Sequence, residues 1–211
     1  MSSRTAIISL MLAATPLHAT DLDVDALLAR LVRPAPDSTT FVEVRYSNLL
    51  EKPIVVSGRL EHRENGLLVR RVESPYEEVT ELQGENVSVE RAGSKPRRFS
   101  LDRAPELRGM LASFGAILKG DRQMLDQYFM VTAQGSGARW EVTLTPRSDK
   151  LKRRLSAIVV DGTEDRPKCF TLKEPDGDES LMVLGVAGEG DLPTSLQRQV
   201  LHTWCADGSG Q

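Results

Sequence analysis

Short runs in which apolar and polar residues alternate with period two recur along most of the chain, and they decide what it can fold into. In 41–47, Val42, Val44 and Tyr46 alternate with Glu43, Arg45 and Ser47. In 54–62, Ile54, Val56, Leu60 and His62 share one face with Gly58. The pattern continues through 67–73, 76–82 and 87–91, and resumes at 128–133, 139–145, 155–161, 168–173 and 180–187. Turn residues punctuate it: Asn65-Gly66, Ser74-Pro75, Gly84-Glu85, Gly135-Ser136-Gly137, Asp161-Gly162 and Asp176-Gly177. Such alternation puts side chains on opposite faces of a strand, and Asn-Gly between two runs is a hairpin signal. The spacing predicts one large, mostly antiparallel sheet or barrel.

A sheet with an apolar face must bury it on something. Residues 21–33 read as a short helix, acidic at its start and basic at its end, with Leu27, Leu28 and Leu31 as its stripe and Pro34 and Pro36 beyond it. The second helical stretch interrupts the strand series. From 106 to 119 the apolar positions Leu107, Met110, Leu111, Phe114, Ile117 and Leu118 fall on one helical face, with Pro105 at its start and Gly120 at its end. A shorter helix from Asp121 carries Met124, Leu125 and Tyr128. A curved sheet covered by such a lid leaves an apolar cleft suited to a small ligand; the alternative is that the helix only fills the core.

The termini and the cysteines add context. Arg4 precedes an apolar run from Ala6 to Ala14, Pro16 breaks it, and Leu17-His18-Ala19 offers a cleavage site. This is the layout of a secretory signal peptide over 1–19, which leaves 20–211 as the mature domain. No later run approaches the ~18 apolar residues of a membrane span. In an oxidising compartment Cys169 and Cys205 are expected to form a disulfide.

Several functions are disfavoured. A formal charge of −3 with interspersed signs does not suit nucleic acid. His62 and His202 lack a second ligand at metal-site spacing, and read as satisfied structural or surface residues. No nucleophile elbow, P-loop or zinc-protease motif is present, so neither an enzyme nor a cofactor-dependent protein is expected. The basic run Lys150, Lys152, Arg153 and Arg154 reads as a solvated turn.

A family resemblance rests on the order of motifs. Gly58-Arg59-Leu60, Arg63, Ser74-Pro75-Tyr76-Glu77, Gly84-Glu85-Asn86-Val87, Gly120-Asp121, Phe129, the run Trp140-Glu141-Val142-Thr143-Leu144-Thr145-Pro146, and Gly162 resemble the LolA-type lipoprotein-carrier proteins. The resemblance implies a half-open antiparallel β-barrel with a helical lid over an apolar cavity, which carries acylated molecules through the periplasm between an inner-membrane exporter and an outer-membrane acceptor. It also implies that Arg63 latches the lid, although Glu64 stands where the family has proline. Only 5% of the chain is aromatic, so Leu, Val and Met must dominate the cavity. This departure, with the late segment 192–204, points to a cargo that need not be a lipoprotein; a lipid or polyene-like chain also fits. The expected lining is Leu60, Val69, Phe99, Met110, Leu111, Phe114, Ile117 and Leu118, in a monomer. A sensor module of the same fold that binds a protein partner is the second reading.

Overall fold

A computed structural model describes residues 22–101, 115–117 and 119–207. Helix α1 (Val24–Leu31) starts at Asp23, whose carboxylate accepts the Asp25 and Ala26 amides at 2.9 and 3.2 Å. Six strands follow in a meander: β1 (Asp37–Tyr46), β2 (Ile54–His62), β3 (Leu68–Ser74), β4 (Glu78–Gln83), β5 (Asn86–Arg91) and β6 (Arg97–Ser100). After helix α2 (Arg122–Tyr128) a second meander runs through β7 (Phe129–Gly135), β8 (Arg139–Pro146), β9 (Ala157–Thr163), β10 (Arg166–Lys173) and β11 (Glu179–Leu184). A short helix, α3 (Asp149–Lys152), lies between β8 and β9, and α4 (Arg198–Asp207) comes last.

All eleven strands form one antiparallel sheet in the order β6-β5-β4-β3-β2-β1-β11-β10-β9-β8-β7. The edges β6 and β7 do not pair, so the sheet is open rather than a closed barrel. They are consecutive in sequence yet sit at opposite ends of the strand order. The connection between them carries the predicted lid stretch, of which 115–117 and 119 lie among the described residues and are helical. The β2–β3 hairpin closes with the Arg63 amide on the Leu67 carbonyl at 2.8 Å, leaving the three-residue loop 64–66, in which Asn65 and Gly66 take left-handed φ values of 68° and 77°.

Register assigns the faces, since paired residues point the same way. The inner face carries Phe41, Val56 and Val72 on one half, and Phe129, Trp140, Val142, Leu144, Ile158 and Val160 on the other. Leu27, Leu28 and Leu31 of α1, Leu125 of α2 and Ile117 bury themselves against this second half. Gly120, which ends the lid helix, has φ of +65°, and a Cβ there would sit 2.9 Å from Val32 and 3.1 Å from the Leu28 carbonyl. Only glycine allows that approach of the lid's end to α1.

The outer face is covered too, which the alternation in β1 alone did not indicate. Val42 and Val44 point outward with Leu181 and Val183, beneath Leu201 and Cys205 of α4. The expected Cys169–Cys205 disulfide is present and ties β10 to α4. His202 accepts or donates to Glu179 at 2.7 Å, and the Lys168 ammonium reaches the Trp204 carbonyl at 3.0 Å. The reading of His202 as a satisfied histidine holds. For His62 it does not, because its buried Nδ1 has no hydrogen-bond partner among the described residues. The basic run is solvated as expected, with Lys150, Lys152, Arg153 and Arg154 all exposed, although Lys150 and Lys152 belong to the one-turn helix α3, whose Leu151 is buried.

Asp161 lies buried on the outer face, paired in register with Cys169 and Glu141. Burial pushes its pKa up to about 6, the Glu141 carboxylate adds to the rise, and His202 offsets part of it. A carboxyl raised in the folded state favours folding when protonated, and that contribution fades as pH climbs through 6. Asp161→Asn is therefore expected to raise the melting temperature at pH 7.5 and to give no gain at pH 4, measured by thermal unfolding at both values. The disulfide closes a span of 36 positions. Its loss in Cys169→Ser/Cys205→Ser is expected to lower unfolding free energy by about 3–4 kcal/mol on chain entropy, read by denaturant titration.

Candidate functional site

The inner face narrows to a site where a row of charged side chains crosses an apolar floor. Glu43 of β1 is the centre, 6% exposed. Arg45 donates to it from Nε at 2.7 Å and from a terminal nitrogen at 3.2 Å. Arg70 of β3 and the Ser180 hydroxyl of β11 donate to the same carboxylate at short range. Arg70 also lies 3.9 Å from Glu78 of β4. The row thus spans five adjacent strands, from β4 to β11.

Glycine makes the crossing possible. Arg70 and Glu43 are separated by β2, where Gly58 faces Phe41 in register and also pairs with Val72. Gly58 has no side chain to block the path, and a Cβ there would sit 1.9 Å from the Arg71 carbonyl oxygen. The Arg70 guanidinium passes over the Phe41 ring, 4.9 Å from its centre, a cation–π geometry. Burial alone would push the Glu43 carboxyl up. The hydrogen bonds from Arg45 and the charges of Arg70 and Arg45 outweigh it and hold its pKa below the ordinary value.

Two hollows flank this row. A cleft of about 660 Å³ lies on one side, lined on the sheet by Glu43, Arg45 and Ser180. Its apolar walls are Leu50, Ile54, Leu151, Leu155 and Leu172, and Arg154, Glu174 and Asp178 join them. Leu49, at 92% exposure, stands beside Leu50 on the β1–β2 turn. On the other side a smaller hollow of about 300 Å³ lies between Leu68 and Leu82 of the sheet and Ala116, Met124 and Tyr128 of the helical segments.

The predicted lining separates on this framework. Leu60 lies on the inner face against Phe41, Val56 and Val72, and Ile117 is buried among the helices over the second meander. Phe99 also faces inward, but on the edge strand β6, and is 40% exposed. Val69 is buried at 2%, yet it pairs with Glu61 and Glu81, which places it on the outer face, away from Leu60. Met110, Leu111, Phe114 and Leu118 lie outside the described residues. Arg63 sits at the end of β2, its guanidinium bound to Glu61 at 2.6 Å and its own amide donating to the Leu67 carbonyl at 2.8 Å. The arginine that reaches over the inner face is Arg70. A signal for it exists in the sequence: Arg70 shares its parity with Leu68 and Val72, and Glu43 shares its parity with Phe41.

Among the described residues no group of three or more His, Cys, Asp and Glu is placed to hold a metal. No described helix is long and apolar enough to cross a membrane.

Comparison with known proteins fits this architecture. The family model described as outer membrane lipoprotein carrier protein LolA-like matches residues 14–208. The chain belongs to this LolA-like family. The family is one of binding and carrier proteins. A search of curated protein sequences found no match. Solved structures resemble the chain distantly. A LolA superfamily protein, NE2245 from Nitrosomonas europaea, is 11% identical at a TM-score of 0.41, covering 78% of this chain and 92% of its own. LprF from Mycobacterium bovis is 11% identical at 0.36, covering 84% and 97%. The Pseudomonas aeruginosa MucA/MucB complex is 17% identical at 0.34, covering 81% of this LolA-like chain and 60% of the matched one.

The buried row predicts a stability pattern. Removing Arg70 alone leaves Glu43 with Arg45 as its one remaining cationic partner, so Arg70→Met is expected to cost about 3 kcal/mol. Because the Glu43 pKa is lowered on folding, its contribution is full above the ordinary carboxylate range and lost as pH falls through the lowered value. The Arg70→Met deficit should therefore shrink on acidification, which denaturant midpoints at pH 7 and below pH 4 would reveal.

Proposed function

We propose that this LolA-like protein is a periplasmic carrier, exported by residues 1–19 and mature from Thr20, that shields an acyl or polyene-like chain in transit to the outer membrane. The observation that carries this reading is the 660 Å³ cleft, walled by Leu50, Ile54, Leu151, Leu155 and Leu172, of which Leu50 and Ile54 are 45% and 43% exposed. An apolar chain in water lacks any favourable surface, and each methylene buried in such a cleft contributes ~0.8 kcal/mol. Apolar side chains left exposed at the rim give the chain a continuous path from a lipid surface into the cleft.

Leu60 belongs to the proposed lining, and we extend the proposal to Met110, Leu111, Phe114 and Leu118 of the lid stretch, while Ile117 is packed into the core of the second meander. The cargo is a lipoprotein acyl chain or a lipid-like molecule, delivered by an inner-membrane donor and received by an outer-membrane acceptor. The protein works as a monomer, without cofactor and without catalysis.

Native mass spectrometry of protein isolated from its own periplasm is expected to show a lipid-sized adduct. Leu155→Asp, which places a charge in the cleft wall, should reduce binding of an acyl-chain fluorophore at least tenfold, since it sets the cost of burying a carboxylate against the chain. Protein that carries no adduct and leaves acyl-chain probes unbound would overturn the carrier reading, and a stoichiometric protein partner in its place would establish the sensor reading.

A further inference from the structure

A floor built to hold an apolar chain has no use for buried charge. Taking Glu43 and Arg70 out of water is costly, and a pair of apolar side chains of similar size gives equal or greater stability. The row is nonetheless complete: the carboxylate is met by two guanidinium groups and a hydroxyl, and Arg70 is steered to it across Gly58 and over the Phe41 ring. Its position relative to the two hollows gives it a role.

Of the residues lining the 660 Å³ cleft on the sheet, Ile54, Arg45, Ser180 and Leu172 lie level across the strands and Glu43 is the next step inward. Along β3 and β4 the smaller hollow begins at Leu68 and Leu82, two residues beyond Arg70 and Thr80 on the same face. A chain entering past Leu50 and running along the floor toward the helical segment must therefore cross the line from Glu43 to Arg70. Displacing the guanidinium would strand a buried carboxylate, while passing over it would place methylenes against charge instead of Leu and Val side chains. Leu60 lies beyond this line, followed by Leu68 and Leu82, so the apolar surface does not run out there. It is interrupted.

We propose that the Glu43–Arg70 pair is a stop at the inner end of the cleft, which restricts the cargo to chains of bounded length entering from the Leu50 end. The inference rests on the carrier reading and adds the determinant of chain-length specificity. While a chain is being buried, each added methylene raises affinity roughly fourfold, the equivalent of ~0.8 kcal/mol. Once its end meets the stop, affinity levels off.

The experiment measures saturated fatty acids of increasing length displacing a naphthylamine fluorophore from the mature protein, from Glu43→Leu/Arg70→Leu and from Arg70→Lys. The expected result is a plateau in the parent protein, the same plateau in Arg70→Lys, and a continued rise to longer chains in the paired leucine variant. Thermal unfolding accompanies each measurement; if the leucine pair does not fold, Glu43→Gln/Arg70→Met, which keeps hydrogen-bonding atoms for Arg45 and Ser180, takes its place. An identical chain-length limit in the parent and in the folded paired variant overturns the stop and leaves the carrier reading intact. A parent protein that binds none of the fatty acids overturns the carrier reading and the stop together.

Discussion

The pairing of β1 with β11 holds the architecture together, because it is the seam at which two separate meanders become one sheet. Each meander is local in sequence and needs only hairpin turns. The seam joins residues more than a hundred positions apart, from Phe41 opposite Leu184 to Tyr46 opposite Glu179. A slip of one residue here would exchange the faces of one meander relative to the other. Val42 and Val44 would then meet the inner cleft, and Glu43 would face α4. The seam is clamped on both sides against such a slip. On the outer face α4 packs over Val44, Leu181 and Val183 and is bonded to β10 through Cys169 and Cys205. On the inner face Ser180 of β11 bonds directly to Glu43 of β1.

The seam also sets where ligand chemistry is possible. Between β6 and β7 in sequence, the described residues Ala116, Ile117 and Leu125 lie on the inner face. Ile117 and Leu125 bury themselves with α1 over β7–β10, so the second meander is filled by the protein's own side chains. The half formed by β1–β4 keeps hollows beside it. Of the two alternatives that periodicity left for the lid stretch, its described residues Ala116 and Ile117 show core-filling.

Much of this was legible in the alternation of short runs. Ten of the strands follow the predicted spans, since Val, Ile and Thr at every second position with Gly, Asn or Pro between runs leave little freedom. The edge strand β6 was missed because Arg97, Arg98 and Ser100 surround a single apolar residue, Phe99, and Lys95-Pro96 reads as loop. Helix α4 was missed because its apolar residues serve one contact patch around a disulfide instead of a long stripe. The site was less legible than the fold, for a specific reason. Alternation distinguishes two faces but does not say which is buried, and at β1 both are. An ordinary rule about charge would put Glu43 and Arg45 on the wet side of the strand. It fails because their partner, Arg70, comes from two strands away, and only the register brings them together.

The same register explains why the polar row does not loosen the fold. A buried carboxylate in a flexible region would find water; here Glu43 sits on the seam strand, the most constrained position in the sheet, and each of its ligands is on a strand fixed relative to it. Arg45 is two residues along the same strand, Ser180 is its register neighbour's neighbour on β11, and Arg70 is held over Phe41. Rigid placement keeps the Glu43 carboxylate fully hydrogen-bonded although it is itself buried, which is the condition under which buried charge is tolerated. The lid side is built in the opposite way. It is anchored where Gly120 meets α1 and where Arg122 bridges Asp126 at 2.8 Å and Asp25 at 3.5 Å. Those ion pairs are solvent-exposed and individually weak. They add little to the buried apolar contacts of Leu27, Leu28, Leu31, Ile117 and Leu125, so the helices are seated on the second meander by hydrophobic packing where the floor is fixed by a polar network.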